Sequence, residues 1–341
     1  MREFDYSVFI GRFQPFHQAH AELLKAALNK AETVIVVIGS CNMAPSPRNP
    51  WSGTDRESMM RVALSEKDNA RVKVIYMDDY LYNDNMWQAV LTSKIQEVTG
   101  ESDSVVIIGH EHDHTSYYLK MFPQWKKYLI PNIDKFLHAT KIRYAYFTYD
   151  LSYKDSLHPK TAEYLENFKK TKSFENLKSY FDSLRDSKNQ WSGAPFPVIF
   201  HTVDAVVLRS AHVLCVRRGK AYGGGQIALP GGFLNENERI RTGAIRELKE
   251  ETAIALSKEE LDKSIKSEHV FDHPNRSERG RTITTAFLFD LGMGPLLKVK
   301  GGDDAAKSWW MPLNEFYTRQ SEFFEDHYHI INHFVGSPLL K

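Results

Sequence analysis

Gly11-Arg12-Phe13-Gln14-Pro15-Phe16-His17-Gln18-Ala19-His20 follows a short apolar run, Tyr6-Ser7-Val8-Phe9-Ile10. The run reads as a buried strand and the residues from Gln18 onward as a helix, so the glycine, the proline and both histidines fall at a strand-to-helix turn. A helix start leaves backbone N–H groups unpaired and carries the positive end of the helix dipole, and both favour phosphate oxygens. Gly11 is the residue that lets a ligand approach the backbone, Pro15 stiffens the turn, and His17 and His20, three apart, project from one side of the first helical turn. Two imidazoles there are placed to donate to a polyphosphate and to stabilise charge that develops as a P–O bond is exchanged. The plain alternative for an isolated His-x-x-His is polar surface; the surrounding strand, glycine, proline and helix argue against it.

Working outward, Thr33 to Gly39 and Ser104 to Gly109 are continuous apolar runs ending in glycine, as expected of strands buried on both faces, and Val72 to Tyr76 reads as another strand. Helical patterns lie between them at Ala21 to Lys30, Arg56 to Leu64 and Met86 to Val98. Strands alternating with helices predict a parallel, Rossmann-like α/β sheet whose ligand sits at the carboxyl ends of the strands, so Gly11, Gly39 and Gly109 should line one crevice. Near it, the stretches around Trp87 and from Gly109, His110 and Asp113 through Tyr117 to Trp125 are rich in aromatic and hydrogen-bonding groups that suit a flat aromatic carboxamide and a ribose phosphate. Trp87 and Trp125 are equally readable as core residues capping the sheet. Arg56 reads as a phosphate contact or as surface charge.

The chain has 341 residues, enough for two ordinary domains. Hydrophobic residues are 42% and charged residues 26%, and no apolar run approaches the ~20 residues of a membrane span. The N-terminus lacks a signal-like apolar core, and Cys41 and Cys215 are too far apart in sequence for a metal-ligand or redox spacing, so the expectation is a soluble cytoplasmic protein with reduced thiols. A formal net charge of +1 gives no general drive toward nucleic acid or membrane, leaving small molecules as the expected partners and room for a homo-oligomer. After a lysine-rich helical stretch, Thr161 to Leu184, residues 186–198 break every periodicity with two prolines and a glycine. The expected organisation is therefore a first domain at 1–185, a linker at 186–198 and a second domain at 199–341. There the pattern changes to β-like runs at Thr202 to Leu208, His212 to Arg217, Ser267 to Phe271, Thr282 to Leu291 and Lys307 to Met311, with one strong central helix and a closing helix around Phe324 to Phe334.

That central helix carries Glu247, Glu250 and Glu251 at i, i+3 and i+4, so three carboxylates share one face. Like charges stacked this way destabilise a helix, and a divalent cation bound by hard oxygen ligands, Mg²⁺ or Mn²⁺, resolves the conflict. Downstream, Arg276, Arg279 and Arg281 fall in one loop between strands, readable as a clamp for a sugar phosphate or diphosphate and equally as an exposed hairpin.

Two resemblances complete the reading. Gly-Arg-Phe-Gln-Pro-Phe-His-x-x-His resembles the first signature of the nucleotidyltransferase superfamily in its nicotinamide mononucleotide adenylyltransferase variant, and Thr140 and Arg143 match part of a second signature in which Ala139 replaces a serine. The resemblance implies that His17, His20 and Arg143 are catalytic, and that Gly11, Arg12, Phe13, Gln14, Trp87, Gly109, His110, Asp113, Tyr117, Trp125 and Thr140 bind substrate. Gly232-x5-Glu238-x7-Arg246-Glu247-Leu248-Lys249-Glu250-Glu251 is similar to the Nudix box of an α/β/α sandwich hydrolase. That similarity implies that Glu247, Glu250 and Glu251 are catalytic metal ligands, that Arg246 orients them, and that Arg276, Arg279 and Arg281 bind substrate. Ala253 stands where the Nudix family has a glycine, which predicts a change of shape at that helix end. The order of the signatures resembles bifunctional enzymes of NAD metabolism, implying ATP, nicotinamide mononucleotide, NAD and ADP-ribose as ligands. The alternatives are a second half that hydrolyses another nucleoside diphosphate derivative, or one that only senses ADP-ribose.

Overall fold

The computed structural model describes residues 2–109, 119–130, 138–219, 222–302 and 305–336. The chain divides into two compact units, Met1–Lys178 and Ser179–Lys341.

The first unit runs β1 (Phe4–Gly11), α1 (Gln18–Lys30), β2 (Ala31–Ile38), α2 (Gly53–Arg61), α3 (Glu66–Asn69), β3 (Val72–Tyr76), α4 (Asp84–Thr99), β4 (Val105–Gly109), β5 (Lys126–Leu129), α5 (Ala139–Phe147) and α6 (Pro159–Phe168). Its sheet has the order β3-β2-β1-β4-β5, with every neighbouring pair parallel. Val34 through Ile38 are completely buried, which is why this strand reads as an unbroken apolar run. Strand order reverses on either side of β1, so the turn after Gly11 lies at the topological switch point where α/β sheets open a crevice.

The stretch expected as one helix at 161–184 is two, α6 and α7 (Lys172–Gln190), because Thr171 interrupts it and its Oγ1 accepts a hydrogen bond from the Phe174 N–H at 3.2 Å. Helix α7 continues into the stretch read as a linker, and the division between the units falls inside it. Tyr180 and Leu184 of α7 already belong to the second unit's core, packed with Val216, Ala228, Ala305 and Phe324.

The second unit then follows with β6 (Ile199–Arg209), β7 (His212–Arg218), β8 (Ile227–Ala228), β9 (Gly231–Phe233), α8 (Ile240–Thr252), α9 (Lys258–Ser264), β10 (Ile265–Phe271), β11 (Arg281–Asp290), β12 (Ala305–Pro312), α10 (Leu313–Phe316) and α11 (His327–Val335). Its mixed sheet has the order β10-β11-β6-β7-β12, with β8 on β7 and β9 on β6. Val206 faces a cluster with Ile330 and Ile331 of α11, whereas Val203, Ala205 and Val207 face Ala244, Ile245 and Leu248 of α8. The period-2 alternation of β6 therefore serves two covering helices, giving an α/β/α sandwich.

Candidate active sites

In the first unit the turn from β1 to α1 is packed from within. Gly11 has no room for a side chain, since a Cβ would lie 2.6 Å from the ring of Phe13, which itself holds a left-handed φ of 53°. The glycine thus admits the loop's own aromatic ring, a tighter constraint than ligand approach alone. Gln14 is buried and clasps the Trp51 backbone in both directions, its Nε2 donating to the carbonyl at 2.9 Å and its Oε1 accepting from the N–H at 3.3 Å. Arg12 is exposed.

His17 is the residue before the first turn of α1, and its ring stacks on that of His20 with centroids 3.6 Å apart. His20 Nδ1 accepts from the His17 N–H at 3.3 Å, which leaves the proton of a neutral His20 ring on Nε2. Burial, with His138 and Arg143 nearby, pushes the His17 imidazole down to about 3, and burial beside His17 also holds His20 well below its ordinary value. Both rings are therefore neutral at pH 7. The buried Nδ1 of His17 has no hydrogen-bond partner among the described residues. Arg143, on α5, donates from Nη1 to the Gln14 carbonyl at 2.7 Å and from Nη2 to Thr140 Oγ1 at 3.3 Å, so the second signature is brought onto the first across 129 residues of sequence.

Arg56 is neither of the things its sequence context suggested. It is 1% exposed, and its Nη1 donates to the carbonyls of Arg12 and Gly39, both at 2.6 Å, tying together the ends of β1 and β2. Only the pairing of distant backbone carbonyls reveals this role. Trp87 and Trp125 pack partly buried against the core through Phe122, with ring centroids at 6.0 and 4.6 Å respectively. Gly109 ends β4, and a Cβ there would lie 2.8 Å from Leu119. His110, Asp113 and Tyr117 lie outside the described residues.

In the second unit α8 presents its carboxylates beside the Gly231–Gly232 strand. A Cβ on Gly231 would lie 2.3 Å from the Val203 carbonyl oxygen and 2.5 Å from Asp204 Oδ1, so backbone and side chain together require glycine there, and one on Gly232 would lie 2.6 Å from Glu247 Oε1. Gly231 N–H donates to Glu251 Oε2 at 3.1 Å. Burial, helped by Glu247 and Asp204, pushes Glu251 up to about 8 against the pull of that hydrogen bond.

The expected repulsion along the helix is relieved here by an arginine. Arg246 Nη1 reaches Glu247 Oε1 at 2.8 Å and Glu250 Oε2 at 2.9 Å, while Nε and Nη2 each lie 2.9 Å from Glu238. Those carboxylates, Glu238 foremost, hold the guanidinium above its ordinary value. Among the described residues no three His, Cys, Asp or Glu side chains are already gathered for an ion. The donor set nonetheless fits a hard divalent cation: three carboxylates on one helix face, against a glycine strand that keeps the adjoining space free of side chain. At the helix end, the expected change of shape is absent. Ala253 takes the left-handed conformation itself, φ 46° and ψ 32°, and its N–H closes on the Lys249 carbonyl at 2.9 Å.

The three arginines of the downstream loop have three different settings. Arg276 is buried and donates from Nε and Nη2 to the two carboxylate oxygens of Asp326, at 2.8 and 2.9 Å, with Asp204 at 3.9 Å; burial opposes its charge and the two aspartates outweigh it. Arg279 lies among rings, 5.1 Å from the centroids of Tyr222 and Phe233, and donates to the Tyr222 hydroxyl at 3.2 Å. Arg281 turns back onto the Asp272 carbonyl.

A switch-point nucleotide site on a parallel sheet and a carboxylate helix in an α/β/α sandwich define a nucleotide-processing protein with two centres. Residues 8–145 match the cytidylyltransferase-like family and residues 200–334 the NUDIX domain. A crystal structure of a bifunctional NMN adenylyltransferase/ADP-ribose pyrophosphatase from Francisella tularensis, complexed with AMP and Mn ion, superposes with a TM-score of 0.92 at 35% identity, covering 97% of this chain and 98% of that one. A nicotinamide/nicotinic acid mononucleotide adenylyltransferase from Acinetobacter baylyi is 33% identical over 190 residues, 55% of this chain and 99% of that protein. An ADP-ribose pyrophosphatase from Methanocaldococcus jannaschii is 32% identical over 112 residues, 33% of this chain and 61% of that protein. The chain belongs to the family of bifunctional NMN adenylyltransferase/ADP-ribose pyrophosphatases.

Proposed function

We propose that the first unit joins nicotinamide mononucleotide to the adenylyl group of ATP and that the second hydrolyses ADP-ribose. The observation that carries this reading is that both sites are built on one chain whose likeness to the bifunctional relative extends over 97% of its length. In the first reaction a 5′-phosphate oxygen of nicotinamide mononucleotide attacks the α-phosphorus of ATP, the bond to the β-phosphate breaks, and NAD and pyrophosphate leave. The attacking phosphate is already ionised, so catalysis consists of positioning and charge stabilisation. His20 offers its Nε2 proton, and Arg143 is pinned beside the turn through the Gln14 carbonyl.

In the second reaction water attacks the diphosphate of ADP-ribose, giving AMP and ribose 5-phosphate. Glu247, Glu250 and Glu251 would hold Mg²⁺ or Mn²⁺, which when bound neutralises diphosphate charge and makes water more acidic. Arg246 presents the carboxylates to the Gly231–Gly232 strand. We place both reactions in the cytoplasm, in keeping with two free cysteines and, among the described residues, no helix long and apolar enough to cross a membrane.

The test is product analysis on the full chain. ATP and nicotinamide mononucleotide should yield NAD and pyrophosphate, and ADP-ribose should yield AMP and ribose 5-phosphate in a reaction abolished by chelator and restored by Mg²⁺ or Mn²⁺. Tight ADP-ribose binding without AMP formation in excess of either ion would overturn the second assignment and leave the first standing.

A further inference from the structure

Two residues of the first unit share an uncommon backbone state. Phe13 follows the end of β1 and Ser40 the end of β2, and both hold left-handed conformations, φ 53° and 54°, that residues with side chains rarely adopt. Each stands directly after a carbonyl gripped by Arg56, whose Nη1 donates to Arg12 and to Gly39, both at 2.6 Å. The rest of the guanidinium is also spent on the chain, Nε on the Ser52 carbonyl at 3.0 Å and Nη2 more loosely on the Ser40 carbonyl and Cys41 Sγ, both at 3.5 Å. Arg276 faces two aspartates, whereas no carboxylate among the described residues lies within ion-pair distance of Arg56. Both peptide bonds after the gripped carbonyls are trans, so each N–H points away from the carbonyl that Arg56 holds. Neither the Phe13 N–H nor the Ser40 N–H has a hydrogen-bond partner among the described residues, although the two residues are only 2% and 6% exposed. The Gly39 N–H donates to the Gly11 carbonyl at 3.0 Å, which locks the two strand ends together.

We infer that Arg56 is a positioning residue for the first unit's reaction: by holding the Arg12 and Gly39 carbonyls it aims the Phe13 and Ser40 N–H groups together at a phosphate of the nucleotide substrate. The inference rests on the reading of that unit as an adenylyltransferase. A buried cation ordinarily takes a carboxylate, and this one takes carbonyl oxygens instead. The negative ends of two peptide dipoles therefore face the guanidinium, and their positive ends face away from it at the switch point where the sheet opens. Two left-handed residues side by side are strained, and the strain persists because the arginine over-determines both peptides. An anion seated there takes up both unclaimed donors and supplies the counter-charge that the buried guanidinium lacks. Arg56 acts in this way without touching the substrate.

The experiment is Arg56→Lys and Arg56→Met in the full chain, each checked for folding by thermal melting. NAD formation is assayed with tripolyphosphate and with adenosine as inhibitors competing with ATP, at constant free divalent ion, so that only the first unit's site reports. Methionine leaves both carbonyls ungripped, and the inhibition constant of tripolyphosphate should rise about tenfold or more. Lysine keeps the charge but not the fork that spans two carbonyls, so its rise should be smaller, yet severalfold. Adenosine has no phosphate, and its inhibition constant should stay as in the unaltered protein. The positioning role is overturned if tripolyphosphate inhibits the lysine variant as it inhibits the unaltered protein, if both inhibitors weaken together, or if tripolyphosphate does not compete with ATP at all. Should methionine prevent folding, the lysine variant decides among these outcomes. An unaltered protein that forms no NAD, yet binds tripolyphosphate in calorimetry with the same dependence on residue 56, would keep the positioning role and refute the adenylyltransferase.

Discussion

His17 and His20 share one buried stack, and that burial makes them sensitive to acid. The unfolded chain takes a proton on His17 below its ordinary 6.5, whereas the folded imidazole stays neutral down to about 3, so acid favours unfolding across that window. The first unit should lose up to about 1.4 kcal/mol of stability per pH unit for this histidine alone, and His17→Asn should flatten that dependence in denaturant titrations run at stepped pH. Equal acid sensitivity in the variant would count against a neutral buried ring. For activity, His20→Ala should leave the protein folded and lower NAD formation by ~100-fold or more, the usual loss on removing one preorganised donor. ADP-ribose hydrolysis should be untouched, and a folded variant with near-normal NAD formation would remove His20 from the mechanism. These two histidines were legible in the sequence because their neighbours in the chain define the turn. The packing partners of Arg56, Gln14 and Arg276 were not, because they lie 17 to 50 residues away and only the folded backbone brings them together.

On helix α8 a single guanidinium serves Glu238, Glu247 and Glu250. Spacing alone showed the shared acidic face, but not that an arginine within the same turn already balances it. Glu250→Gln should therefore give no gain in stability from relieved repulsion. Its pair with Arg246 is partly exposed and worth at most about 1 kcal/mol, so the melting temperature should hardly move while ADP-ribose hydrolysis falls by several orders of magnitude. Hydrolysis persisting near normal would show that Glu250 is not a ligand. The other end of the helix offers a gain. Ala253 holds a left-handed conformation that costs a non-glycine residue roughly 1–2 kcal/mol, so Ala253→Gly should stabilise the second unit by about 0.5–1 kcal/mol after its greater unfolded-state freedom is counted. Thermal melts would detect this as a rise of a few degrees, with hydrolysis unchanged; a fall would mean that the alanine methyl contributes packing that outweighs the strain.

Across the whole chain, the alternation of strands and helices announced the first unit's parallel sheet, and β-like runs around one central helix with the Nudix resemblance announced the second unit's sandwich, whereas the helical extent of α7 did not show, since its lysines and serines carry no signal of which unit its apolar positions cover. We propose that a second unit begun at residue 199 is weaker than one begun at 172, because it lacks Tyr180 and Leu184 from the cluster with Val216, Ala228, Ala305 and Phe324. Comparing the melts of the two fragments decides it, and equal melting temperatures would show these contacts to be dispensable. The molecule's formal charge of +1 counts every histidine as neutral, and for the stacked pair that bookkeeping is physically apt. An imidazole stripped of water with an unclaimed nitrogen is a base waiting for an anion. Seating a triphosphate beside it should draw a proton from solution, so the heat of ATP binding should vary with the ionisation enthalpy of the buffer, and affinity should rise as the medium is made mildly more acidic.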